Sequence, residues 1–525
     1  MTDTTTSPRR ILTAALAIGC LFDLLFYGKL PGVSVLLFTL TILSALTVLA
    51  RMEGVSPARR NLWILVPLIF FAAMLAVRSN GFLLFLDIAA CIVLLALLAY
   101  FYTAGRIHRS GLVGYYISFV VSAVNSLFRA APLVSASVKG RGMSNQSARR
   151  LLPVLRGLLI ALPVAVVFIV LLASADIVFA RYVASILSLQ FVPDIRAVLW
   201  QVVIALSVAW IVAGGLVFAL TRRDTGEEEP WETAMSSIPT AVHIGFTEGA
   251  TVLVVVDLIF LFFGWIQLSY LFGGQNNIAI DGFTYADYAR RGFFELLAVS
   301  ILTMGLILSL HWLTWRETRK QALAFRLLAT LMAGLTLLLL ASAFFRMSLY
   351  EEAYGYTHLR LFVHLFEIWL ALLFGWLLVT LWLRPRQFAI GFFAAALGFL
   401  VTINLLNPDA LIAEQNIARY AATGKIDSYY LADLSEDATP ALLAGIDRLH
   451  GDEQSLLLYS LQQRLERMKS DTGWQGLASL NLSRWSAYDA LTRNQVRLAQ
   501  AKPVYPPSET VAPADESDSS TSGLR

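Results

Sequence analysis

Residues 281–314 read DGFTYADYARRGFFELLAVSILTMGLILSLHWLT, a charged, tyrosine-bearing helix start running straight into an apolar stretch. The run from 293 to 314 is long enough to cross roughly 30 Å of hydrocarbon, which takes about 20 helical residues. Thr284 is a fair N-cap, and Asp287 three residues on completes an aspartate version of the capping box. Asp287 then faces Arg290 and Arg291, and Arg291 faces Glu295, so ion pairs lace the first turns. Tyr285, Tyr288, Gly292 and Glu295 share a face, where the glycine lets another helix or a ligand approach the backbone. Two readings stay open. Either the arginines and tyrosines anchor a helix end at the membrane interface, or Glu295, a carboxylate just inside a span, belongs to a functional site.

The rest of the chain repeats the apolar pattern. Of 525 residues, 57% are hydrophobic and 14% charged, where soluble domains carry about a quarter charged; the mean hydropathy is +0.67. Further runs lie at 11–27, 32–50, 62–77, 82–104, 151–175, 197–221, 250–272, 323–345, 359–383 and 388–406. With 293–314 they predict a bundle of eleven spans, 62–77 being the shortest. Asp23 interrupts the first run and no small-residue cleavage site follows it, so it reads as an uncleaved span. Lys and Arg in alternate loops number nineteen on one side, seven of them between Arg106 and Arg150, and, the C-terminal tail excluded, eight on the other. That bias predicts a cytoplasmic N-terminus and an extracytoplasmic C-terminal tail. Residues 113–128, LVGYYISFVVSAVNSL, pass for a twelfth span by composition. A crossing there would move the Arg-rich loops outside, so a helix lying in the cytoplasmic interface is the better reading. The same holds for 181–191 on the outer side, and 222–247, with Glu227, Glu228 and Glu229, reads as a solvated loop.

The net charge of +4 comes from basic residues scattered over short loops, which is not the footprint of a nucleic-acid binder. Cys20 and Cys91 lie in apolar runs and form neither a disulfide framework nor a metal cluster. There is no P-loop, no GxGxxG on a strand and no HExxH, and no cofactor is expected. After Asn407-Pro408 the composition changes. Helix signals at 411–422, at 435–449 with Ser435 or Thr439 as cap, at 452–468 and at 482–500 predict a small helical extramembrane domain over 408–502, following a transmembrane domain over 1–407. Residues 503–525, rich in Pro, Ser, Asp and Thr, read as disordered. The expected fold class is all-α.

Ionisable side chains inside spans are costly unless paired or hydrated, so each is a functional candidate. Asp23, Asp87, Gln267, Glu295, Arg360, His364 and Glu367 fall toward the outer half, and Asp257 nearer the middle of its span. Arg360, His364 and Glu367 stand on one helix face, directly after an outer loop holding Glu351, Glu352, Tyr354 and His358. Tyr285, Tyr288, Arg291, Glu295, Arg360, His364, Glu367 and Asp257 are therefore the candidate polar pocket. Arg360 paired with Glu295 or Glu367 would make it a structural tie; a hydrated, outward-facing pocket would exchange protons or bind a solute. His358, His364 and Glu367 match no metal-ligand spacing.

The stretch Tyr285-Ala-Asp-Tyr-Ala-Arg-Arg-Gly-Phe-Phe-Glu-Leu resembles the signature of a bacterial family of polytopic membrane proteins known only as a domain of unknown function. Arg346-Met-Ser-Leu-Tyr, Tyr354-Gly-Tyr-Thr and Leu359-Arg-Leu fit the same family. So do Asn416-Ile-Ala-Arg-Tyr, Tyr430-Leu, Leu434-Ser and Asp437-Ala, giving a resemblance over about 250–490. It implies residence in a bacterial inner membrane and supplies no activity or cofactor. Three functions remain: transport or channel-like handling of a small solute or ion, sensing or assembly with an envelope partner engaged through 409–502, and a membrane enzyme acting on lipid-linked substrates. Enzymes of the last kind often place acidic residues in a large outer loop, and the first outer loop, around Lys29, is only a few residues long.

Overall fold

The computed structural model describes residues 7–139, 171–187, 193–222, 244–272, 293–383 and 387–501, with a few positions between 157 and 169. The sequence readings at 284–292, at 503–525 and over most of 151–175 and 222–247 lie outside the described residues. Among the described residues the fold is all-helical, with one isolated bridge between Ile244 and Thr314. The helices are α1 (Pro8–Phe26), α2 (Val33–Met52), α3 (Leu65–Met74), α4 (Gly81–Phe101), α5 (Leu112–Phe128), α6 (Ala130–Lys139), α7 (Ile177–Leu187), α8 (Pro193–Thr221), α9 (Phe246–Phe272) and α10 (Phe293–Leu313). They continue with α11 (Arg319–Tyr354), α12 (His358–Trp382), α13 (Phe388–Leu406), α14 (Pro408–Thr423), α15 (Ser428–Ala432), α16 (Thr439–Gly445), α17 (Gly451–Ser470), α18 (Leu482–Arg493) and α19 (Gln495–Leu498).

Nine helices among the described residues are long and apolar enough to cross a membrane. The chain is a multi-pass membrane protein. Eight of the nine coincide with the runs at 32–50, 82–104, 197–221, 250–272, 293–314, 323–345, 359–383 and 388–406; the ninth is Leu112–Ser137, which the sequence reading laid in the interface. Near the start of α5, Tyr115 donates to the Ile107 carbonyl at 2.8 Å. Just past its end, Arg129 donates to Thr221 Oγ1 at 2.6 Å, and the adjacent Arg222 donates to the Tyr100 carbonyl at 2.9 Å. The last turn of α5, however, packs on the middle of α8, where Trp210 donates to the Leu127 carbonyl at 2.7 Å and a Cβ at Gly214 would collide with the Ser126 carbonyl oxygen. The segment is apolar enough to cross, and it reaches into the bundle along α8.

The run at 62–77 behaves in the opposite way. It is absent from the nine because its α-helix, α3, has only 10 residues. A six-residue 3₁₀ turn, Arg59–Ile64, precedes it. At roughly 2.0 Å per residue for 3₁₀ and 1.5 Å for α, the two together advance about 27 Å. Asn61 bonds the carbonyls of Phe101 and Gly105 at one end, while the carbonyls of Leu75 and Ala76 meet the C-terminal helices at the other.

Helix α1 packs antiparallel on α8. A Cβ at Gly19 would collide with the Ala205 carbonyl oxygen and the Ala209 side chain, the close approach that small residues allow between spans. Further along, Trp369 on α12 donates to Thr402 Oγ1 on α13 at 3.2 Å, and Trp376 donates to the Gln387 carbonyl at 3.1 Å.

The C-terminal helices α14–α19 match the helix signals read from 411 to 500. They do not pack only on themselves. One apolar cluster runs from Leu83, Leu361, Leu365 and Ile403, at the ends of α4, α12 and α13, into Ile412, Ile417, Leu442, Leu457 and Leu461.

Candidate functional site

The site begins where α13 turns into α14. Asn407 adopts a left-handed conformation, φ 50°, and Pro408 opens α14. An asparagine tolerates that conformation and a proline suits the first helical turn. The turn sets Asp409 in the first turn of α14, where the helix dipole favours a negative charge.

Asp409 is fully buried. It accepts from Asn80 Nδ2 at 3.0 and 3.1 Å, from the Ser435 amide at 2.9 Å and from His358 Nε2. His358 Nδ1 lies 2.9 Å from the Tyr430 hydroxyl, which also accepts the His358 amide at 2.9 Å. Burial raises the Tyr430 phenol above its ordinary value. Burial alone would raise the Asp409 carboxyl; hydrogen bonds from His358, Ser435 and Asn80, with the His358 charge, outweigh it and hold Asp409 below the usual aspartate range.

Around this hub the tail is stitched to three turns. Asp437 Oδ2 accepts the amides of Ser79 and Asn80 at 2.8 and 2.9 Å and the Ser79 hydroxyl at 3.1 Å. Asn80 Oδ1 also caps α4, accepting from Phe82 and Leu83. At the 355–357 turn, Asn416 accepts the Tyr356 amide at 2.9 Å and donates to its carbonyl at 2.8 Å, while Arg419 donates to the carbonyls of Glu352 and Ala353. Gly355 is required here twice: its φ is +84°, and a Cβ would collide with Asn416 Oδ1. At the other edge Asn481 donates to the carbonyls of Leu75 and Arg78 at 3.1 and 2.7 Å. Arg484 donates to the Pro31 carbonyl at 3.1 Å. A cavity of about 540 Å³ opens beside this edge, lined by Leu30, Glu436, Arg464, Arg467, Trp474 and Arg484 among others.

Beneath the seam lies a second polar cluster. His364 Nδ1 is 3.0 Å from Glu351 Oε2, and its Nε2 faces the Phe344 carbonyl at 3.2 Å and Ser348 Oγ at 3.4 Å. One turn further along α12, Glu367 is 2% exposed and neither carboxylate oxygen has a hydrogen-bond partner among the described residues. Nearer the seam, Asp87 accepts from Asn404 Nδ2 at 2.8 Å, and the Asn404 carbonyl accepts from Arg78 at 2.7 Å.

A model of the domain of unknown function DUF4153 matches residues 65–445. The chain belongs to the DUF4153 family. The match begins well before 250, where the resemblance read from the sequence began, and ends inside the tail. No curated protein and no solved structure matches the chain.

Several motif residues that carried the resemblance, Asn416, Arg419, Tyr430, Ser435 and Asp437, lie in the seam of this DUF4153 chain. Of the candidate pocket, Tyr285, Tyr288 and Arg291 lie outside the described residues. Glu295 is exposed in the first turn of α10, while its neighbours Phe293 and Leu296 are buried. Asp257 on α9 is 2% exposed with both oxygens unpartnered, and no hydrogen bond or ion pair among the described residues joins it to the others. His364 and Glu367 do come together, with Glu351 added. The expected pairing of Arg360 with Glu295 or Glu367 is not what the geometry shows: its guanidinium stacks 4.3 Å over the Tyr350 ring and donates to the Gly355 carbonyl. Arg360 is in the first turn of α12, close enough to the end of α11 to cap it.

Sequence reading passed over Asn80, Asp409 and Asp437 as functional positions. The available signal was a carboxylate directly after Asn-Pro, but its partners lie about 50 and 330 residues away. No metal-holding cluster of three His, Cys, Asp or Glu is present among the described residues.

Proposed function

We propose that this DUF4153 chain handles a small solute or ion across the bacterial inner membrane, with a proton entering from the tail side through Glu351 and His364 to Glu367. The observation that carries the reading is Glu367, buried with neither oxygen satisfied, one turn from a His364 already bonded to a carboxylate. Such a group is tolerated in a span when it takes a proton, an ion or a solute. The topology goes with it: eleven crossings, a cytoplasmic N-terminus and an extracytoplasmic tail. The contacts of 59–77 at opposite faces support its place in the count, and the Arg-rich loops support the orientation.

The test is proton flux in vesicles holding the purified chain and a trapped pH-sensitive dye. Flux driven by an imposed potential is expected in the native chain and lost in Glu367→Gln at an unchanged melting temperature. No flux in the native chain, or equal flux in the variant, contradicts the reading.

One observation favours the alternative, a sensor or assembly protein acting through its tail. The 540 Å³ cavity at the tail edge has two buried guanidinium groups on its wall, Arg464 and Arg484, and its size suits a small polar ligand. Under that reading a tail variant abolishes function while Glu367→Gln is tolerated.

A further inference from the structure

A second cavity, of about 450 Å³, lies among α1, α2, α4, α5 and α8, walled almost entirely by apolar side chains that include Phe22, Phe38, Leu95, Ala123, Val208 and Ala219. Its wall runs along α8 from Val208 to Ala219, about 16 Å at 1.5 Å per residue, which is roughly the depth of one leaflet. It is open to the helix surface, since Ile92 and Ile211 in its lining are 55% and 43% exposed. An apolar space of this kind offers water no partners, and in a bilayer the hydrocarbon within reach is an acyl chain.

The lower end of the cavity, at Ser126, Leu127 and Ala219, leads to two cations. Arg129 stacks 5.1 Å over Phe218, and the hydrogen bonds it makes go to the neutral Asn125 Oδ1 at 2.7 Å and Thr221 Oγ1 at 2.6 Å. No carboxylate pairs with it among the described residues. Arg222, the next residue after Thr221, lies 3.2 Å over the Tyr100 ring. We propose that the cavity and these two arginines form a binding site for an anionic phospholipid, with one acyl chain along α8 and the phosphate on Arg129 and Arg222. A guanidinium suits a phosphate because it offers several donors in a planar fork, and α5, lying across the mouth, would then be held in place by the lipid.

The full chain, stripped of lipid in a mild detergent, is titrated with phosphatidylglycerol and separately with phosphatidylcholine, and bound lipid is counted by native mass spectrometry. About tenfold tighter binding of phosphatidylglycerol is expected. Arg129→Gln should lose that preference while still holding lipid, and Ala123→Phe, which fills the cavity, should lose both lipids. Leu95→Trp fills the same space from α4 and serves if Ala123→Phe does not fold, with circular dichroism checking each variant. Equal binding of the two lipids by the native chain, an unchanged preference in Arg129→Gln, or full retention in a folded cavity-filling variant would overturn the proposal.

Discussion

Asp409 has no exposed surface, and three donors from three other parts of the chain make four hydrogen bonds to it. Removing the carboxylate leaves those donors buried and unpaired, so Asp409→Ala should destabilise tail docking by about 2–3 kcal/mol, the range for a hydrogen-bonded charged group. Limited proteolysis of the tail, compared between variant and native chain, reads the effect. The sign of the pH dependence follows from the depressed carboxyl. A group held below its unfolded value stabilises the fold above that value, near pH 4 for an aspartate, and loses the contribution as pH falls through the folded one. Docking should therefore weaken below about pH 4, measured as tail protection against pH. Gly355→Ala meets both a positive φ and the Asn416 side chain; a cost of about 1–3 kcal/mol is expected, read as a lower melting temperature.

At the scale of elements, hydropathy and length located most of the helices, because an apolar run of 20 residues has few alternatives to a span. The two places where composition and geometry part are instructive. At 59–77 a 3₁₀ turn stretches a short α-helix across the bundle, so the α-helical part alone is too short to cross. At 112–137 a segment long enough to span sets its last α5 turn on the middle of α8, at Gly214 and Trp210, while the Arg129 side chain reaches back to Thr221. The contact between α1 and α8 could not be read, since one glycine in an apolar run does not declare its partner. Gly19→Val should force the helices apart against the Ala205 backbone, costing about 1–3 kcal/mol as overpacking does, and the melting temperature in detergent should fall accordingly.

For the whole molecule, the sequence predicted two bodies, a membrane part and a helical tail, and both sets of helices are found. What it could not show is that the two share an apolar cluster and a hydrogen-bonded seam, because every contact of the seam joins residues distant in the chain. The motif residues of the tail were legible as a pattern long before their purpose was, since their partners are mostly backbone groups of the turns at 75–80 and 352–358. Tyr356 illustrates the point: Asn416 holds its amide and carbonyl, not its phenol. The polar pocket was legible only in part. His364 and Glu367 were found from their spacing, while Glu351 was seen as a loop residue and not as the partner of His364.

The central claim is that the tail is docked on the turns at the ends of the spans. The Leu482 amide donates to the Ala76 carbonyl at 2.7 Å, so Ala76→Cys and Leu482→Cys, placed in a chain with Cys20 and Cys91 replaced by alanine, should be joined by a short bifunctional thiosulfonate in intact membranes. The docked arrangement predicts a cross-linked peptide containing both positions, with a yield that falls several-fold when Asp409→Ala and Asp437→Ala are added. Two cysteines that each react with a monofunctional reagent yet never cross-link would contradict it.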